Sequence, residues 1–237
     1  FNVVSVRPEI VDPETTSILL TSNVKFNEQT TSKTSDTLKA NIISTLSNYN
    51  TNTLNQFDGV FRYSKIIGLI DNTDTSIISN ITTLKIRKEF TPSIGTSTRY
   101  DVYYRNALYN PHSGHNSSAG GILVSTGFKI DGDTSTIFFL DDDGQGNVRR
   151  YSLSGSVRTY ANSTQGTIDY ATGQVTINSL NVSVVENIRG AASSVIELTV
   201  VPSSNDVVPV RDQILNIDTS NSIITVEADT FVGGSAG

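Results

Sequence analysis

The 237-residue chain contains no cysteine, no methionine and no tryptophan. Without cysteine it cannot use the disulfides of small secreted domains, which weakly favours a reducing cytosol or an assembled particle. No apolar run approaches the roughly 18 to 20 residues of a membrane helix, and the N-terminal FNVVSVRPEI lacks the basic-then-apolar order of a signal peptide. Because even an initiator methionine is missing, we expect a processed or C-terminal part of a longer polypeptide.

Basic charge is also scarce. The formal net charge is -6, and the strongest basic cluster is LKIRK at 84–88. Proteins that bind nucleic acid rely on clustered Lys and Arg to release counterions from phosphates. The composition therefore argues against a nucleic-acid partner.

The first part of the chain predicts strands followed by two helices. Apolar residues alternate in two stretches around Pro8 and Pro13, as half-buried strands require. They are Val4, Val6, Ile18, Leu20, Val24 and Phe26. From Thr34 the spacing becomes helical, with Ser35 as the expected N-cap and Asp36 in the first turn. The apolar positions of this helix are Leu38, Ile42, Leu46 and Tyr49.

A second helix is predicted in FRYSKIIGLIDN, because the apolar residues Tyr63, Ile66, Ile67 and Ile70 recur at helical spacing. Of these, Tyr63, Ile67 and Ile70 are expected to face the sheet. A strand through ISNITTLKIRKEF follows it. Two or three strands with two helices predict an α+β layer, in which a small sheet carries both helices on one face. We assign this α+β domain to residues 1–92.

Beyond TPSIG at 91–95 the helical spacing disappears, and Gly, Asn, Asp and Ser separate short apolar runs. GFKIDGDTSTIFFL and GTIDYATGQVTIN predict hairpins with Asp-Gly and Thr-Gly turns. SSVIELTVVP and NSIITVEAD predict two further strands, joined by a connector. Residues 93–237 are therefore predicted as a mostly β, hairpin-rich domain with a C-terminal connector and strand.

The most acidic stretch is FFLDDDGQGNVRRY at 138–151. Read as a calcium loop from Asp141, it places Arg149 at the ninth position and Ser152 where a bidentate Glu is needed. Adjacent aspartates on a polar turn also lack the separation of a glycosidase acid pair. The pattern predicts a hairpin turn that keeps its charges in water.

Other chemical motifs are weak. HSGH sets His112 and His115 three residues apart, but no cysteine or patterned carboxylate accompanies them, so we expect a surface loop. No G-x-S-x-G elbow and no phosphate-binding glycine loop occurs. We predict no catalytic residue, no metal site and no cofactor.

The connector contains an apolar segment, NDVVPVRDQIL, in which Pro209 disfavours a regular central strand. An extended apolar segment must be covered, either by a sheet edge of its own domain or by a neighbouring subunit. We predict a subunit contact with a charged rim. Its residues are Val207, Val208, Val210, Arg211, Asp212, Ile214 and Leu215.

Three segments carry a family resemblance. Residues 8–90, from PEIVDPETTSILL to TTLKIRKEF, resemble the C-terminal region of the baseplate wedge protein of T4-type contractile-tailed phages, the product of gene six in that phage. GTIDYATGQVTI is similar to a hairpin that recurs in the wider J-type baseplate proteins. VVPSSNDVVPVRDQILNID resembles the same wedge proteins near their C-terminal end.

This resemblance implies a structural role in the virion. Such wedge proteins pair as homodimers, bind other wedge subunits and join into a ring around the tail hub. It implies a protein made in the host bacterial cytoplasm and assembled into the tail baseplate, with no membrane and no small-molecule substrate.

Two other functions stay open. A surface β-module that binds a glycan or receptor would share the acidic, Asn- and Thr-rich strands, although a plain sandwich lacks a helix pair. A hydrolase would need a concave site with perturbed titratable groups.

Overall fold

The computed structural model describes residues 14–113, 121–210 and 212–229. The strand predicted around Val4 and Val6, and the positions of His115 and Arg211, lie outside these residues. The described chain is mostly β with two helices. In chain order, the elements are β1 (Glu14–Phe26), α1 (Ser35–Tyr49), α2 (Tyr63–Asp71), β2 (Ile77–Phe90), β3 (Thr98–Tyr103), β4 (Val124–Ser125), β5 (Phe128–Ile130), β6 (Asp133–Asp142), β7 (Asn147–Ser154), β8 (Val157–Asp169), β9 (Gln174–Leu180), β10 (Val182–Val185), β11 (Ile196–Val200), β12 (Gln213–Ile217) and β13 (Ile223–Ala228).

The first sheet has six strands in the order β12-β1-β2-β11-β4, and β13 also pairs with β1. β12 and β13 run parallel to β1, one beside each half of that long strand, whereas β2 is antiparallel to it. The sheet is larger than the predicted two or three strands, because β11, β12 and β13 from the C-terminal part join it. Strands that pair across such long sequence distances leave no local sequence pattern that identifies their partners. The sequence therefore did not predict that these strands join the first sheet.

The alternation in β1 is confirmed, since Ile18, Leu20, Val24 and Phe26 are all buried. Helix α1 is confirmed as well, with Leu38, Ile42 and Leu46 in the core. Its N-cap is Thr34 and not the predicted Ser35, because the Thr34 hydroxyl accepts a hydrogen bond from the Thr37 amide at 3.3 Å.

The predicted face of α2 is partly wrong. Ile66 and Ile70, four residues apart on one helix face, are fully buried, whereas Ile67 is only half-buried. Tyr63 also packs against the core, and its hydroxyl donates to the Thr82 carbonyl at 2.6 Å. The helix therefore contacts β2 through Tyr63 and buries Ile66 and Ile70 in the core.

The second sheet contains β10, β5, β6, β7, β8, β9 and β3 in that order, and all its pairs are antiparallel. β9 and β10 are separated by Asn181 alone, although they pair with opposite ends of the sheet. The sheet consequently curls back on itself into a barrel-like unit. Both predicted hairpins are confirmed, with Ile168 opposite Val175 across the Thr-Gly turn.

The two sheets share one hydrophobic core. Tyr104 is fully buried between them, and its hydroxyl donates to the Leu198 carbonyl of the first sheet at 2.6 Å. Ser125 of β4 accepts a hydrogen bond from the Leu140 amide of the barrel at 2.7 Å. Within the described ranges, neither helix is long and apolar enough to cross a membrane.

Candidate interaction surface

The predicted interface segment begins and ends in the core of its own chain. Val207 is fully buried, and its amide and carbonyl pair with the backbone of Phe61 at 3.1 and 3.0 Å. Leu215 is fully buried within β12, which pairs in parallel with the start of β1. The prediction of an extended connector without a strand is therefore wrong for residues 213–217, which lie far enough beyond Pro209 to form a regular strand.

The middle of the segment is exposed. The side chains of Val208 and Val210 are 47% and 38% exposed on either side of Pro209. The Asn106 side chain accepts from the Val208 amide and donates to the Val208 carbonyl, both at 3.1 Å. These two hydrogen bonds hold the backbone at Val208, next to Pro209. We call Val208, Pro209 and Val210 the connector tip.

The remaining predicted interface residues differ in position. Ile214 is half-buried in β12, and Asp212 is exposed beside the connector tip. Arg211 lies outside the described residues. Of the described members of the predicted set, Val208, Val210 and Asp212 are thus the ones that face solvent.

The acidic stretch forms the predicted hairpin turn, but two of its three aspartates are not in water. β6 continues through Asp142, and the turn between β6 and β7 is closed by Asp143, whose carboxylate accepts from the Gln145 and Asn147 amides at 2.8 and 3.0 Å. Asp141 and Asp142 are strand residues with no exposed surface. The prediction that this turn keeps all its charges in water is wrong, because neighbouring strands supply partners for both carboxylates.

Asp141 is held by three donors from β7 and β8. Its carboxylate accepts from Arg149 Nε at 2.9 Å, from Arg158 at 2.7 Å and from the Tyr160 hydroxyl at 3.0 Å. Burial raises the pKa of Asp141, and the hydrogen bonds from Arg149 and Tyr160 oppose that rise. The aspartate therefore orders two guanidinium groups on the outer face of the barrel.

Aromatic rings fill the next row of the same face. Phe139 and Tyr151 are cross-strand partners with ring centroids 5.7 Å apart, and Tyr160 follows at 5.8 Å from Tyr151. Arg149 lies 4.2 Å above the Tyr160 ring, and Arg158 lies 4.6 Å above the Tyr151 ring. Such stacked arrangements restrict the rotamers of both the rings and the guanidinium groups.

The outer edge of this face is apolar and exposed. Ile137, two residues before Phe139 and so on the same face, is 38% exposed, and Leu153 is 47% exposed. Leu153 lies opposite Arg158, whose side chain is 30% exposed. A cavity of about 480 Å³ lies here and is lined by Ser135, Thr136, Ile137, Phe139, Ser152 and Leu153. We call this face of β6, β7 and β8 the platform; its residues are Ile137, Phe139, Asp141, Arg149, Tyr151, Leu153, Arg158 and Tyr160.

Asp142 faces the opposite way and has a structural role. Its Oδ1 accepts from the amides of Ile122 and Leu123 at 2.6 and 2.8 Å, and its Oδ2 accepts from the Tyr170 hydroxyl at 2.6 Å. Burial, together with the hydrogen bond to Asp142, raises the pKa of Tyr170. This carboxylate ties the chain before β4 to the barrel.

The titratable groups singled out in the sequence are engaged by the protein or lie at its surface. The carboxylates of Asp141 and Asp142 are occupied by protein donors, and His112 lies on an exposed turn. In the part of the chain that the structure describes, no group of three or more His, Asp or Glu is placed to hold a metal ion. Two other surface features are the connector tip and the platform, where Asp141 holds Arg149 and Arg158.

The comparison with known families agrees with this structural character. Residues 16–89 match the family model described as baseplate structural protein gp6, C-terminal domain III. The match runs from β1 through both helices to the end of β2, and it confirms the resemblance to gp6-type baseplate wedge proteins. A comparison of the chain with curated proteins finds no significant match.

Proposed function

We propose that this chain, whose residues 16–89 match a domain of the gp6 baseplate family, is a structural subunit of the baseplate wedge in a contractile-tailed phage. In this role it forms protein–protein contacts that build the ring around the tail hub. The observation that carries the proposal is the family match over β1, α1, α2 and β2, because these elements form the layer on which the rest of the first sheet is built.

The chemistry of the described surface supports an assembly role. The platform brings together aromatic and arginine side chains, which are residue types enriched in protein interfaces. The net charge of -6 disfavours a phosphate-backbone partner. The partners in this proposal are other copies of the chain and other wedge subunits, without nucleic acid, membrane or small-molecule substrate, and the chain is not an enzyme.

Self-association belongs to the proposal as well. The predicted contact segment keeps its exposed residues at the connector tip, whereas Val207 and Leu215 already contribute to the core. We therefore place the subunit contact, as a homodimer or between ring neighbours, at Val208, Val210 and Asp212.

Purified tails test the proposed function directly. Quantitative mass spectrometry should find the chain in tails of the phage that encodes it, after synthesis in the host bacterial cytoplasm. A stop codon in its gene should yield particles without complete baseplates. Complete, infectious tails that lack the chain, or a chain recovered only outside the virion, would contradict the proposal.

A further inference from the structure

Strand β8 has an open edge beside the platform. It pairs with β7 on one side, but on its other side it pairs with β9 only from Gly166 to Asp169. Within the described residues, no strand pairs with that outer side before Gly166. Every residue from Val157 to Thr164 is exposed or half-buried, which agrees with an uncovered edge.

The open edge presents backbone groups of two platform residues. β7 and β8 are joined by a two-residue turn between Ser154 and Val157, with Gly155 at a φ of +61°. The pair that closes such a turn is hydrogen-bonded, and hydrogen-bonded and non-hydrogen-bonded pairs then alternate along an antiparallel ladder. Arg158 and Tyr160 therefore fall at non-hydrogen-bonded pairs, so their N–H and C=O groups point away from β7 and towards the open edge.

The hairpin that carries this edge is positively charged. Residues 144–168 contain three arginines, Arg149, Arg150 and Arg158, and no Asp or Glu, although the whole chain has a net charge of -6. Among the described residues, Asp141 is the carboxylate that pairs with these arginines, with Arg149 at 2.9 Å and Arg158 at 2.7 Å. Three guanidinium groups against one carboxylate leave two positive charges, so the hairpin favours an acidic partner.

These two properties define the kind of partner that fits. A row of outward N–H and C=O groups on an edge strand is a template for one further extended segment. A second copy of β8 is a poor occupant, because two such edges would bring the Arg158 side chains of both copies onto one small face. Like charges on facing strands are destabilising, whereas opposite charges are stabilising.

We propose that the open edge of β8 at Arg158 and Tyr160 binds an extended acidic segment of a different wedge subunit as an added strand, with one of its carboxylates beside Arg158. This inference rests on the proposed function and names the site and the kind of partner. Main-chain pairing supplies affinity, and alternate side chains of the added strand lie on the platform side. There they meet the Tyr160 ring, which is 41% exposed, and the Arg158 side chain, which is 30% exposed.

Hydrogen exchange at single amides tests the pairing without any substitution. In the isolated 237-residue chain, the Thr159 amide faces β7 and should exchange slowly, whereas the amides of Arg158 and Tyr160 should exchange fast. In purified tails, mass spectrometry with electron-transfer fragmentation should show the latter two slowed about tenfold or more, with Thr159 still slow. Unchanged exchange at Arg158 and Tyr160 would overturn the inference. Protection of the same two amides on concentrating the isolated chain would also overturn it, because the occupant would then be a second copy.

Substitutions at Arg158 separate the backbone contact from the charge. Arg158→Gln removes the guanidinium group, and Arg158→Pro also removes the outward N–H, which an edge strand tolerates when that group faces solvent. Both lose the ion pair with Asp141, so the difference between them reports the backbone donor. Arg158→Lys keeps the positive charge and is the conservative control. Circular dichroism and thermal melting establish which variants are folded.

Complementation measures the consequence for assembly. A phage with a stop codon in this gene is grown in hosts that supply the parent or a variant chain. Arg158→Lys should give nearly the parent titre, Arg158→Gln a lower one, and Arg158→Pro a titre about tenfold or more below that of Arg158→Gln. Equal titres for Arg158→Gln and Arg158→Pro would overturn the inference while leaving the proposed function intact. Full titre without any supplied chain would instead contradict the proposed function, and the inference would fall with it.

Discussion

The carboxylate of Asp142 occupies the space that a side chain on Gly121 would need. A Cβ built on Gly121 would fall 1.7 Å from Asp142 Oδ1, and the backbone there has a φ of +51°. The same oxygen accepts from the next two amides, those of Ile122 and Leu123. A glycine at this position therefore lets the backbone fold closely around a buried aspartate of the barrel.

Gly121→Ala should lower the free energy of unfolding by about 2 to 5 kcal/mol, since it combines a left-handed backbone with a close contact. Gly95→Ala is the control, because Gly95 also has a positive φ, +71°, but open space around it. That variant should cost about 1 to 2 kcal/mol from the backbone conformation alone. Equal losses in urea denaturation would show that the contact with Asp142 is not tight.

Ile66→Ala should cost about 2 to 5 kcal/mol, because Ile66 is fully buried in the hydrophobic core. Ile67→Ala should cost less than half as much, since that side chain is only half-buried. Lys65→Ala, at an exposed position on the same helix, should be nearly silent. Urea denaturation of the three variants checks the order, and a larger loss at Ile67 would mean that the helix face is rotated.

Asp141→Asn should destabilise the fold by about 3 to 5 kcal/mol, because it leaves the guanidinium groups of Arg149 and Arg158 without their carboxylate. Asp143→Asn, in the adjacent turn, should cost about 1 kcal/mol or less, because an amide oxygen still accepts from the Gln145 and Asn147 amides. Thermal melting of the two variants measures this difference. Similar melting temperatures would show that the ion pairs of Asp141 do not stabilise the fold more than the turn contacts of Asp143 do.

The pH dependence of stability should depend on Asp74. Hydrogen bonds from Lys33 and Ser76 lower the pKa of Asp74 to about 2 in the folded chain. A carboxyl group with a lowered pKa in the folded state stabilises the fold above its ordinary pKa near 4, and that contribution is lost as the pH falls from about 4 to 2. Asp74→Asn should therefore be less stable than the parent at pH 7, and the difference should shrink towards pH 2.

Glu28→Gln is the control for this titration, because Glu28 is exposed. It should follow the parent throughout. A difference between Asp74→Asn and the parent that stays constant from pH 7 to pH 2 would show that ionised Asp74 is not the source of the effect.

The local sequence pattern was enough to predict helices, strands and hairpins whose structure is set by residues close together in the chain. The alternation around Ile18 and the four-residue spacing from Leu38 identified β1 and α1, because burial on one face imposes those periods. The Thr-Gly turn before Val175 identified its hairpin for a similar reason, since the turn and the register are set within a dozen residues.

The features that the sequence did not predict depend on strands that pair across long sequence distances. β12 pairs with β1 across nearly the whole chain, and no local signal in QILNI distinguishes a strand from a connector. The platform was also missed, because its aspartate and arginines looked like solvated turn residues. The alternation of Arg149, Tyr151 and Leu153 was the available signal, as it sets one charged, one aromatic and one aliphatic residue on the same strand face.

A cryo-EM map of the intact tail of the phage that encodes this chain is the most direct test of its place in the baseplate. We expect density for the six-stranded sheet, its two helices and the curled second sheet in the baseplate ring, with each copy in contact with a neighbouring copy or another wedge subunit. A baseplate map that leaves no density for this fold, or that places it outside the baseplate, would contradict it.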